Sequence, residues 1–535
     1  MKNGKALGVL ATALGMIILD GTIVAVALPD IIADLGLDLS DAQWVNASYS
    51  VIFAALLLTM GRLGDRFGRR NLLVAGIALF AIGSALAAAA GDPTTLISAR
   101  LVQGIGGAAA LPAALSTVTA TFRGKDRGPA FAVWGVVASG SAAIGPLLGG
   151  WLTTAFTWPW IFLVNLPIAV FVIIGAYLWV PNTKQENLAP GLDVPGLLLS
   201  ALGFSAIVYG LIEGQAMGWW NPAAEVKLFG LVWPADAAIS LVPILLAIGV
   251  ILVAGFIWWE LRRARQKRSA LLDLSLFTLP TFRWGNLTAT AVAIGEFGIV
   301  FVMPLFLVNV LGLDTLKAGL VIAAMAIGAF FSGAMARHLA ATIGAPKTVV
   351  VGLALEVVGT AATALVVTAG VSAWLLAACL AVYGLGLGLA SAQLTGTTLV
   401  DVPVEESGQG SAAQSTVRQL GSALGTALVG AALAAALATS IPSALTNVSG
   451  LDTVTVDKLA SETVQSAGGV IEQMRVHGTG EHPKEVVEAL STGFASATTT
   501  SLWAATVFLV IGLISSILLV RHSRPRDAIT AAVPG

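Results

Sequence analysis

Gly61-Arg-Leu-Gly-Asp65-Arg66-Phe-Gly68-Arg69-Arg70 is a short charged stretch that lies between two long apolar runs. Its last nine residues hold four arginines and one aspartate. Membrane proteins collect Lys and Arg in the short loops on the cytoplasmic side of the bilayer. The stretch therefore predicts a cytoplasmic loop, and its glycines predict that two helix ends approach closely across a tight turn. A generic positive anchor is the alternative.

The composition predicts a membrane protein. Of 535 residues, 57% are hydrophobic and 11% are charged, whereas soluble domains carry about 25% charged residues. The net charge of −1 and the absence of a basic stripe with interleaved aromatic residues favour no nucleic-acid partner. The histidines fall in predicted loops or the tail and the single cysteine in an apolar run, so we expect no metal, no cofactor and no intrachain disulfide.

Fourteen apolar segments are long enough to cross a bilayer, which takes about 20 residues each. They span residues 6–29, 43–61, 71–91, 95–121, 128–154, 159–180, 194–213, 237–259, 284–311, 317–337, 347–368, 372–399, 409–437 and 499–520. An even number of spans puts both termini on one side. With the N-terminus inside, 21 of the 28 Lys and Arg residues lie in cytoplasmic segments and five lie outside. We therefore expect cytoplasmic N- and C-termini.

Connection lengths divide the chain. We predict an all-α polytopic membrane protein of two six-helix bundles, residues 1–190 and 284–521, joined by a linker at 191–283 that carries two additional helices. Residues 522–535 form a cytoplasmic tail. The polar stretch 438–498 lies outside the membrane, and Pro483 with the helical spacing of Val487, Leu490 and Phe494 predicts a short helical hairpin at the outer mouth. A disordered loop is the alternative.

An internal repeat supports two bundles. Helix 1 has Asp20, then Ile23-Val24-x-Val26, then Pro29. Helix 9 has Glu296, then Ile299-Val300-x-Val302, then Pro304. Chance similarity is the alternative, because Ile-Val runs are common in membrane helices. Many transporters are nevertheless built from paired halves.

Acidic side chains within predicted spans are candidate functional residues. A charge at a helix centre costs roughly 2.5–3.5 kcal/mol on insertion scales, so Asp20 is expected to face a cavity and to exchange protons. A structural hydrogen bond is the alternative for Asp20 and equally for Glu296. Glu356 has only its position in a span, which favours a structural contact. Glu213 and Glu260 lie at helix ends, where we expect solvation.

Two further motifs lie in helices 4 and 5. Arg100 and Gln103 share one face of helix 4, and Arg100 could pair with a carboxylate; snorkelling to the interface is the alternative. Glycines let helices touch closely and a proline bends the chain. We therefore expect a pliant sealing face on helix 5, made by Gly140, Gly145, Pro146, Gly149 and Gly150.

The motifs resemble those of the major facilitator superfamily. The charged stretch resembles the loop between helices 2 and 3 of that superfamily, and Arg100-x-x-Gln103-Gly104 resembles its helix-4 signature. The segment around Asp20 resembles the first helix of the fourteen-helix drug:proton antiporter family, with Ala25 where the family usually has Asn. The helix-5 motif resembles the antiporter signature. Trp158-Pro159-Trp160 also resembles this family, which commonly has Arg at the position of Pro159.

The resemblance implies a major facilitator fold and a gating role for the loop after helix 2. Asp65 would act as a latch against the N-terminus of helix 13, near residues 407–411. The arginines would pair with Asp126, Glu405 or Glu406 when the inside is closed. The gating-loop residues are Gly61, Asp65, Arg66, Gly68, Arg69 and Arg70, and the proton-coupling residues are Asp20, Glu296 and Arg100.

The substrate pocket is less readable from the sequence. Each candidate could instead face lipid or the helix core. The candidates on helices expected to line a cavity are Tyr49, Phe53, Trp134, Phe297, Phe301, Asn309, Tyr383, Gln393, Gln414 and Arg418. No Gly-x-x-x-x-Gly-Lys loop is present, so we do not expect ATP to drive transport.

Taken with the resemblance, these features predict a proton-coupled exporter of hydrophobic or cationic drugs or natural products. It would be a monomer in the bacterial cytoplasmic membrane, with the lipid bilayer and small substrates as its partners, protons as its coupling ion and no enzymatic activity. The alternatives are an exporter of lipids or lipid conjugates on the same scaffold and, from a different class, a membrane sensor. A sensor usually carries a soluble output domain, which no part of this sequence suggests.

Overall fold

The computed structural model describes residues 2–122, 127–184, 193–228, 231–266, 271–272, 274–403, 406–446, 448, 451–478 and 483–523. Within these ranges, fourteen helices are long and apolar enough to cross a membrane, which confirms the predicted number of spans and the all-α membrane class.

The helices of the first part of the chain are α1 (Lys2–Leu35), α2 (Leu39–Phe67), α3 (Arg69–Ala88), α4 (Pro93–Thr121), α5 (Arg127–Ala155), α6 (Trp160–Leu163) and α7 (Asn165–Trp179). The next elements are α8 (Val194–Ile212), α9 (Gly214–Met217), the antiparallel strands β1 (Val226–Leu228) and β2 (Leu231–Trp233), α10 (Leu241–Arg265) and a 3-10 turn (Leu274–Thr278). The last are α11 (Pro280–Leu305), a π-helical turn (Phe306–Val310), α12 (Thr315–Ile343), α13 (Ala345–Val366), α14 (Ala373–Thr398), α15 (Ser407–Leu445), α16 (Thr453–Gln465), α17 (Gly469–His477) and α18 (Pro483–His522). Helices α6 and α7 together make one span.

Aspartates between the apolar runs mark where many helices begin. Each accepts a hydrogen bond from a backbone N–H of the first turn, which satisfies a donor that has no partner inside the helix. The capping residues are Asp38, Asp92, Asp193, Asp314 and Asp452. Short polar breaks in a hydrophobic sequence thus become helix starts.

The region between the last two spans differs from the prediction. Helix α15 continues to Leu445, and the helix that begins at Pro483 runs without a break through the final span. Val487, Leu490 and Phe494 therefore belong to the first turns of α18 and do not form an arm of a separate hairpin. The short helices in this region are α16 and α17, which lie before Pro483. The β1–β2 hairpin was not predicted.

The chain packs as two halves with an inserted helix pair. Helices α1–α7 contact one another, as do α11–α15 and α18. The inserted helices α8 and α10 pack on each other, and α8 also contacts α2 and α15. Between the halves, α2 packs along α15 and α5 packs along α12. The two halves therefore meet along two helix pairs, α2 with α15 and α5 with α12.

Matching glycines show that the halves are structural repeats. A Cβ on Gly76 of α3 would lie 2.7 Å from both the Gly106 oxygen and the Ala110 nitrogen of α4. A Cβ on Gly352 of α13 would lie 2.7 Å from the Gly386 oxygen and 2.6 Å from the Ala390 nitrogen of α14. The α3–α4 crossing is thus repeated in α13–α14, in support of the repeat inferred from helices 1 and 9.

We call the end of the molecule that carries Lys5 and the loop of Arg62–Arg70 the basic end, and the opposite end the far end. At the far end Thr315 of α12 hydrogen-bonds to Asp30 of α1. One continuous apolar core joins both halves there. A second apolar core lies towards the basic end of the N-terminal bundle. Among the described residues, all of its buried members belong to that bundle. The halves are therefore held together at the far end.

Candidate functional site

Asp20 lies at the centre of a buried polar cluster in the N-terminal half. Its side chain is 0% exposed, and its Oδ2 lies 2.5 Å from Nη1 of Arg100, which is 1% exposed. Its Oδ1 accepts hydrogen bonds from the amides of Gln103 at 3.0 Å and Asn165 at 2.9 Å. Ser84 accepts from the same two amides. Helices α1, α3, α4 and α7 thus converge on one carboxylate.

The cluster accounts for an acid in an apolar helix. An isolated buried carboxylate is costly, but paired with a guanidinium and two amide donors it has partners that replace water. Arg100 has further partners, since Nε donates to the Val45 oxygen at 3.0 Å and Nη1 to Gln103 Oε1 at 2.8 Å. The sequence-based expectation that Arg100 could pair with a carboxylate matches this geometry, and Arg100 does not snorkel to an interface.

This arrangement can link a proton to a change of shape. Protonating Asp20 would remove the charge that holds Arg100. Asp20 has no exposed surface in this conformation, so a proton reaches it only after the surrounding helices move. The predicted role of Asp20 and Arg100 in proton coupling stays a prediction.

The glycine motif of α5 connects this cluster to the other half. A Cβ on Gly149 would lie 2.8 Å from the backbone oxygen of Ile23, and one on Gly145 would collide with Thr22. Both contacted residues follow Asp20 closely on α1. A Cβ on Gly150 would lie 2.8 Å from the Thr315 oxygen of α12. Helix α5 therefore touches the Asp20 segment and the opposite half over one short stretch.

The rest of the α5 motif shows where this contact ends. The carbonyl of Pro146 lies against Gly319 of α12, 2.6 Å from where a Cβ would sit. Towards the basic end, Gly140 has no atom within 4 Å of its Cβ position, and neither has Gly135. Close packing between α5 and α12 is thus concentrated in the far half of the two helices.

The loop after α2 is held to its own half. Asp65 pairs with Arg69 at 2.8 Å, and Arg69 Nη1 donates to the Ser116 oxygen of α4 at 3.0 Å. Gly68 adopts φ = +109°, a conformation that favours glycine, and the Arg69 N–H donates to the Thr183 oxygen. Glycine is also required sterically, since a Cβ on Gly68 would collide with Asn182.

Asp65, Arg66, Arg69 and Arg70 contact their own half of the molecule. Asp65 is engaged with Arg69, and the guanidinium groups of Arg66 and Arg70 lie over the rings of Phe67 and Tyr177. In the described part of the chain no ion pair joins these arginines to Glu406. Asp126 and Glu405 lie outside the described residues. Gly61 packs near Pro112 of α4. The latch, which involves residues outside the described ranges, stays a prediction.

A second charged pair lies in the C-terminal half. Arg418 of α15 contacts Glu296 of α11 at 3.0 Å, and their side chains are 48% and 14% exposed. Arg418 lies within an apolar span and nearer to its basic-end start. A half-exposed guanidinium at this depth is costly against lipid and indicates a water-accessible cleft. Glu296 thus has the open surroundings that were expected of Asp20.

The remaining pocket candidates divide into two groups. Buried in helix packing are Tyr49, Phe53, Phe301, Tyr383 and Gln414. Half-buried are Trp134, Phe297 and Gln393. Asn309 lies apart from both charged clusters. Its amide donates to the Ala467 oxygen, beside α17, at 2.9 Å. Their role in binding substrate stays a prediction.

Sequence reasoning missed several members of these clusters. Asn165 and Ser84 had no assigned role, although a lone amide in an apolar span such as that of Asn165 is a signal of a buried partner. Glu260, expected to be solvated, is fully buried and accepts from the Leu272 N–H at 3.1 Å. Glu213 accepts a hydrogen bond from Trp44 Nε1 at 2.8 Å. Acids at span ends can therefore be packing elements.

Comparisons with known proteins agree with this architecture. Residues 10–426 match the family profile described as Major Facilitator Superfamily. A probable actinorhodin transporter of Streptomyces coelicolor is 33% identical over 78% of this chain and 70% of its own length. Puromycin resistance protein pur8 of Streptomyces alboniger is 33% identical over 76% of this chain and 77% of its own.

Solved structures show the same fold. A bacterial homologue of the human lysosomal transporter Spinster, in an inward-facing and unoccupied conformation, superposes with a TM-score of 0.61 at 16% identity. The match covers 98% of this chain and 99% of that one. With fourteen spans, two repeated halves and the profile match over most of its length, the chain belongs to the Major Facilitator Superfamily.

Proposed function

We propose that this protein is a proton-coupled antiporter that exports hydrophobic or cationic drugs or natural products across the bacterial cytoplasmic membrane. The basic end would face the cytoplasm, together with both termini, because Lys and Arg are concentrated there. The relatives' names, an actinorhodin transporter and a puromycin resistance protein, support small organic compounds as the cargo. The working unit would be a monomer.

The buried Asp20–Arg100 cluster is the observation that carries the proposal. The Asp20 carboxylate is held by one guanidinium and two amides as long as the cluster stays closed. A proton arriving from outside would neutralise Asp20 and release Arg100. The pair would form again when the proton leaves towards the cytoplasm. Inward proton flow supplies about 2.3 kcal/mol per charge for each 100 mV.

Helix α5 would transmit this change to the gate. It contacts α1 just after Asp20 and α12 of the other half within the stretch from Gly145 to Gly150. A displacement of α1 around Asp20 therefore shifts the seam between the halves. The halves are joined at the far end, and Glu296 and Arg418 form a partly exposed pair, which fits the state that would accept substrate from the cytoplasm. Glu296 would attract a cationic substrate once Arg418 moves away.

Transport in proteoliposomes with an imposed pH gradient tests the proposal. Ethidium, a hydrophobic cation whose fluorescence reports its location, is a suitable probe. We expect wild-type protein to move ethidium against its gradient, and Asp20→Asn to reduce gradient-driven movement to the level of protein-free liposomes. The amide keeps the size of the side chain, so the purified variant should remain monodisperse.

Asp92→Asn provides the matched control. It makes the same chemical change at an exposed helix cap, and Asn caps helices as well as Asp does. Transport by this variant should equal that of the wild type. Gradient-driven transport that persists in Asp20→Asn would refute proton coupling through Asp20. A wild-type protein that moves neither ethidium nor a panel of antibiotics, but moves labelled phospholipid, would instead establish a lipid exporter.

A further inference from the structure

Glu356 lies in the middle of α13, and no described residue forms a hydrogen bond with its carboxyl group. Its side chain is 0% exposed. Neither Oε1 nor Oε2 has a hydrogen-bond partner in the described part of the chain. The structural contact that the sequence favoured for this residue is therefore not made by a hydrogen bond.

The surroundings of Glu356 are poor in hydrogen-bond donors. Helix α13 packs on α12, α14 and α18. From α14 comes Tyr383, whose hydroxyl is also buried without a partner. The titratable residues of α12 and α18 lie towards the helix ends: Lys317, Arg337, His338, Lys484, Glu485, Glu488, Arg521 and His522. Further away, Glu296 of α11 and Arg418 of α15 act on Glu356 through their charges.

These surroundings do not suit a charged carboxylate. Burying an ion without hydrogen-bond donors costs several kcal/mol, whereas the neutral acid loses far less on leaving water. Arg418 is the nearby cation, but Glu296 already neutralises it at 3.0 Å. Glu356 therefore holds a proton in this conformation.

The repeat shows that packing alone does not require an acid here. A Cβ on Gly106 would lie 2.5 Å from the backbone nitrogen of Phe80, and one on Gly386 would lie 2.5 Å from that of Glu356. Phe80 and Glu356 thus occupy equivalent places in the two halves. The N-terminal half fills the place with an aromatic ring, so the carboxyl group of Glu356 has a purpose other than filling space.

We propose that Glu356 is a second proton-binding site, in the C-terminal half, which exchanges protons in concert with the Glu296–Arg418 pair. When the far end opens and Glu296 takes a proton from outside water, Arg418 loses its partner. Arg418 then stabilises the Glu356 carboxylate, and the Glu356 proton leaves to the cytoplasm as the basic end opens. The Glu296 proton passes to Glu356 as the Glu296–Arg418 pair forms again, so one proton enters from outside and one leaves to the cytoplasm in each cycle. The proposal rests on the proposed proton-coupled transport and adds a proton to each cycle.

Infrared difference spectroscopy of the purified protein tests the protonation state without transport. At neutral pH we expect a protonated-carboxyl C=O band in the wild type that shifts in heavy water and is absent in Glu356→Gln. Asp20→Asn should keep the band, because Asp20 lies in the other half of the molecule and contacts Arg100 rather than Glu356. A wild-type spectrum without any band that Glu356→Gln removes would overturn the proposal, whatever the outcome of the transport assays.

Proton counting in proteoliposomes tests the role in transport. The pH gradient is set against an opposing ethidium gradient until net flux stops, and the balance point reports the protons moved per ethidium. We expect Glu356→Gln to lower this ratio by one proton while ethidium binding, measured by fluorescence, is retained. An unchanged ratio would refute the second site. Loss of all gradient-driven transport in the wild type would instead refute the proposed function, and the infrared result would still stand.

Discussion

The two halves of the molecule share a helix arrangement but differ in how they treat a buried acid. In the N-terminal half, Asp20 is sealed and saturated by Arg100, Gln103 and Asn165. In the C-terminal half, Glu296 and Arg418 form a pair that is partly open to water. The same scaffold therefore offers one closed, fully paired carboxylate and one that a solute in the cleft can reach.

The difference teaches that repeated packing does not imply repeated chemistry. Glycines at equivalent places hold α3 against α4 and α13 against α14. Two turns further, a Cβ on Gly83 would meet Gln103, and one on Gly359 would meet Tyr383. Helix backbones that must touch keep glycine in both halves. The side chains around the acids face no such requirement and have diverged.

Removing the arginine of each pair should lower the free energy of unfolding by very different amounts. Arg100→Leu leaves a buried carboxylate without its cation and should cost about 3–5 kcal/mol, enough to prevent accumulation of folded protein. Arg418→Leu breaks a half-exposed pair and should cost at most about 1 kcal/mol. Thermal unfolding and size-exclusion profiles in detergent measure both.

A second variant keeps this test informative if Arg100→Leu does not fold. Combining it with Asp20→Asn removes the unpaired charge and should recover most of the lost stability. Similar losses for Arg100→Leu and Arg418→Leu, or a double variant no better than the single one, would show that the two clusters do not differ in burial as described.

Alanine at the matched glycines should weaken both halves to the same degree. In Gly76→Ala and Gly352→Ala the new methyl group meets backbone atoms of the facing helix at 2.6–2.7 Å. Such overpacking costs about 1–3 kcal/mol. Gly135→Ala on α5 is the control, because no described atom outside the backbone of α5 lies within 4 Å of its Cβ position and alanine favours helix by about 1 kcal/mol. If only one of the two variants, Gly76→Ala or Gly352→Ala, lowers the unfolding temperature of the protein, the repeat is contradicted.

The smallest expected effect concerns Glu213, at the end of α8, which has no part in either cluster. Burial raises the pKa of its carboxyl group above the ordinary value of 4.5, and the hydrogen bond from Trp44 opposes that rise. The ionised form is therefore disfavoured in the folded state. Its unfavourable contribution is present at pH above the folded pKa and disappears as the pH falls towards 4.5.

Glu213→Gln should remove this dependence on pH while its amide oxygen still accepts from Trp44. We expect the variant to be more stable than the wild type by at most about 1 kcal/mol at neutral pH. The two proteins should converge at acid pH, as measured by thermal unfolding across the range. A stability difference that grows on acidification would reverse the sign and refute the assignment.

Several features of the fold and of the site could be predicted because they depend on composition along one helix. Apolar length identified fourteen spans, and a lone charge in an apolar run identified Asp20, Glu296 and Arg100. The pocket residues were harder, because helical spacing shows which residues share a face but not whether that face meets water, lipid or another helix. Tyr49 and Phe53 therefore turned out to be core residues.

By itself the sequence determined the membrane class, the number of spans, the charge asymmetry of the two ends and the presence of charged residues within spans. All of these follow from transfer energies and local charge, which act residue by residue. The tertiary structure alone decided that Asn165 and Ser84 complete the Asp20 cluster, that Arg418 reaches Glu296 and that Glu356 has no hydrogen-bond partner in the described chain. Those facts depend on distances between helices far apart in sequence, which close packing sets and local pattern does not.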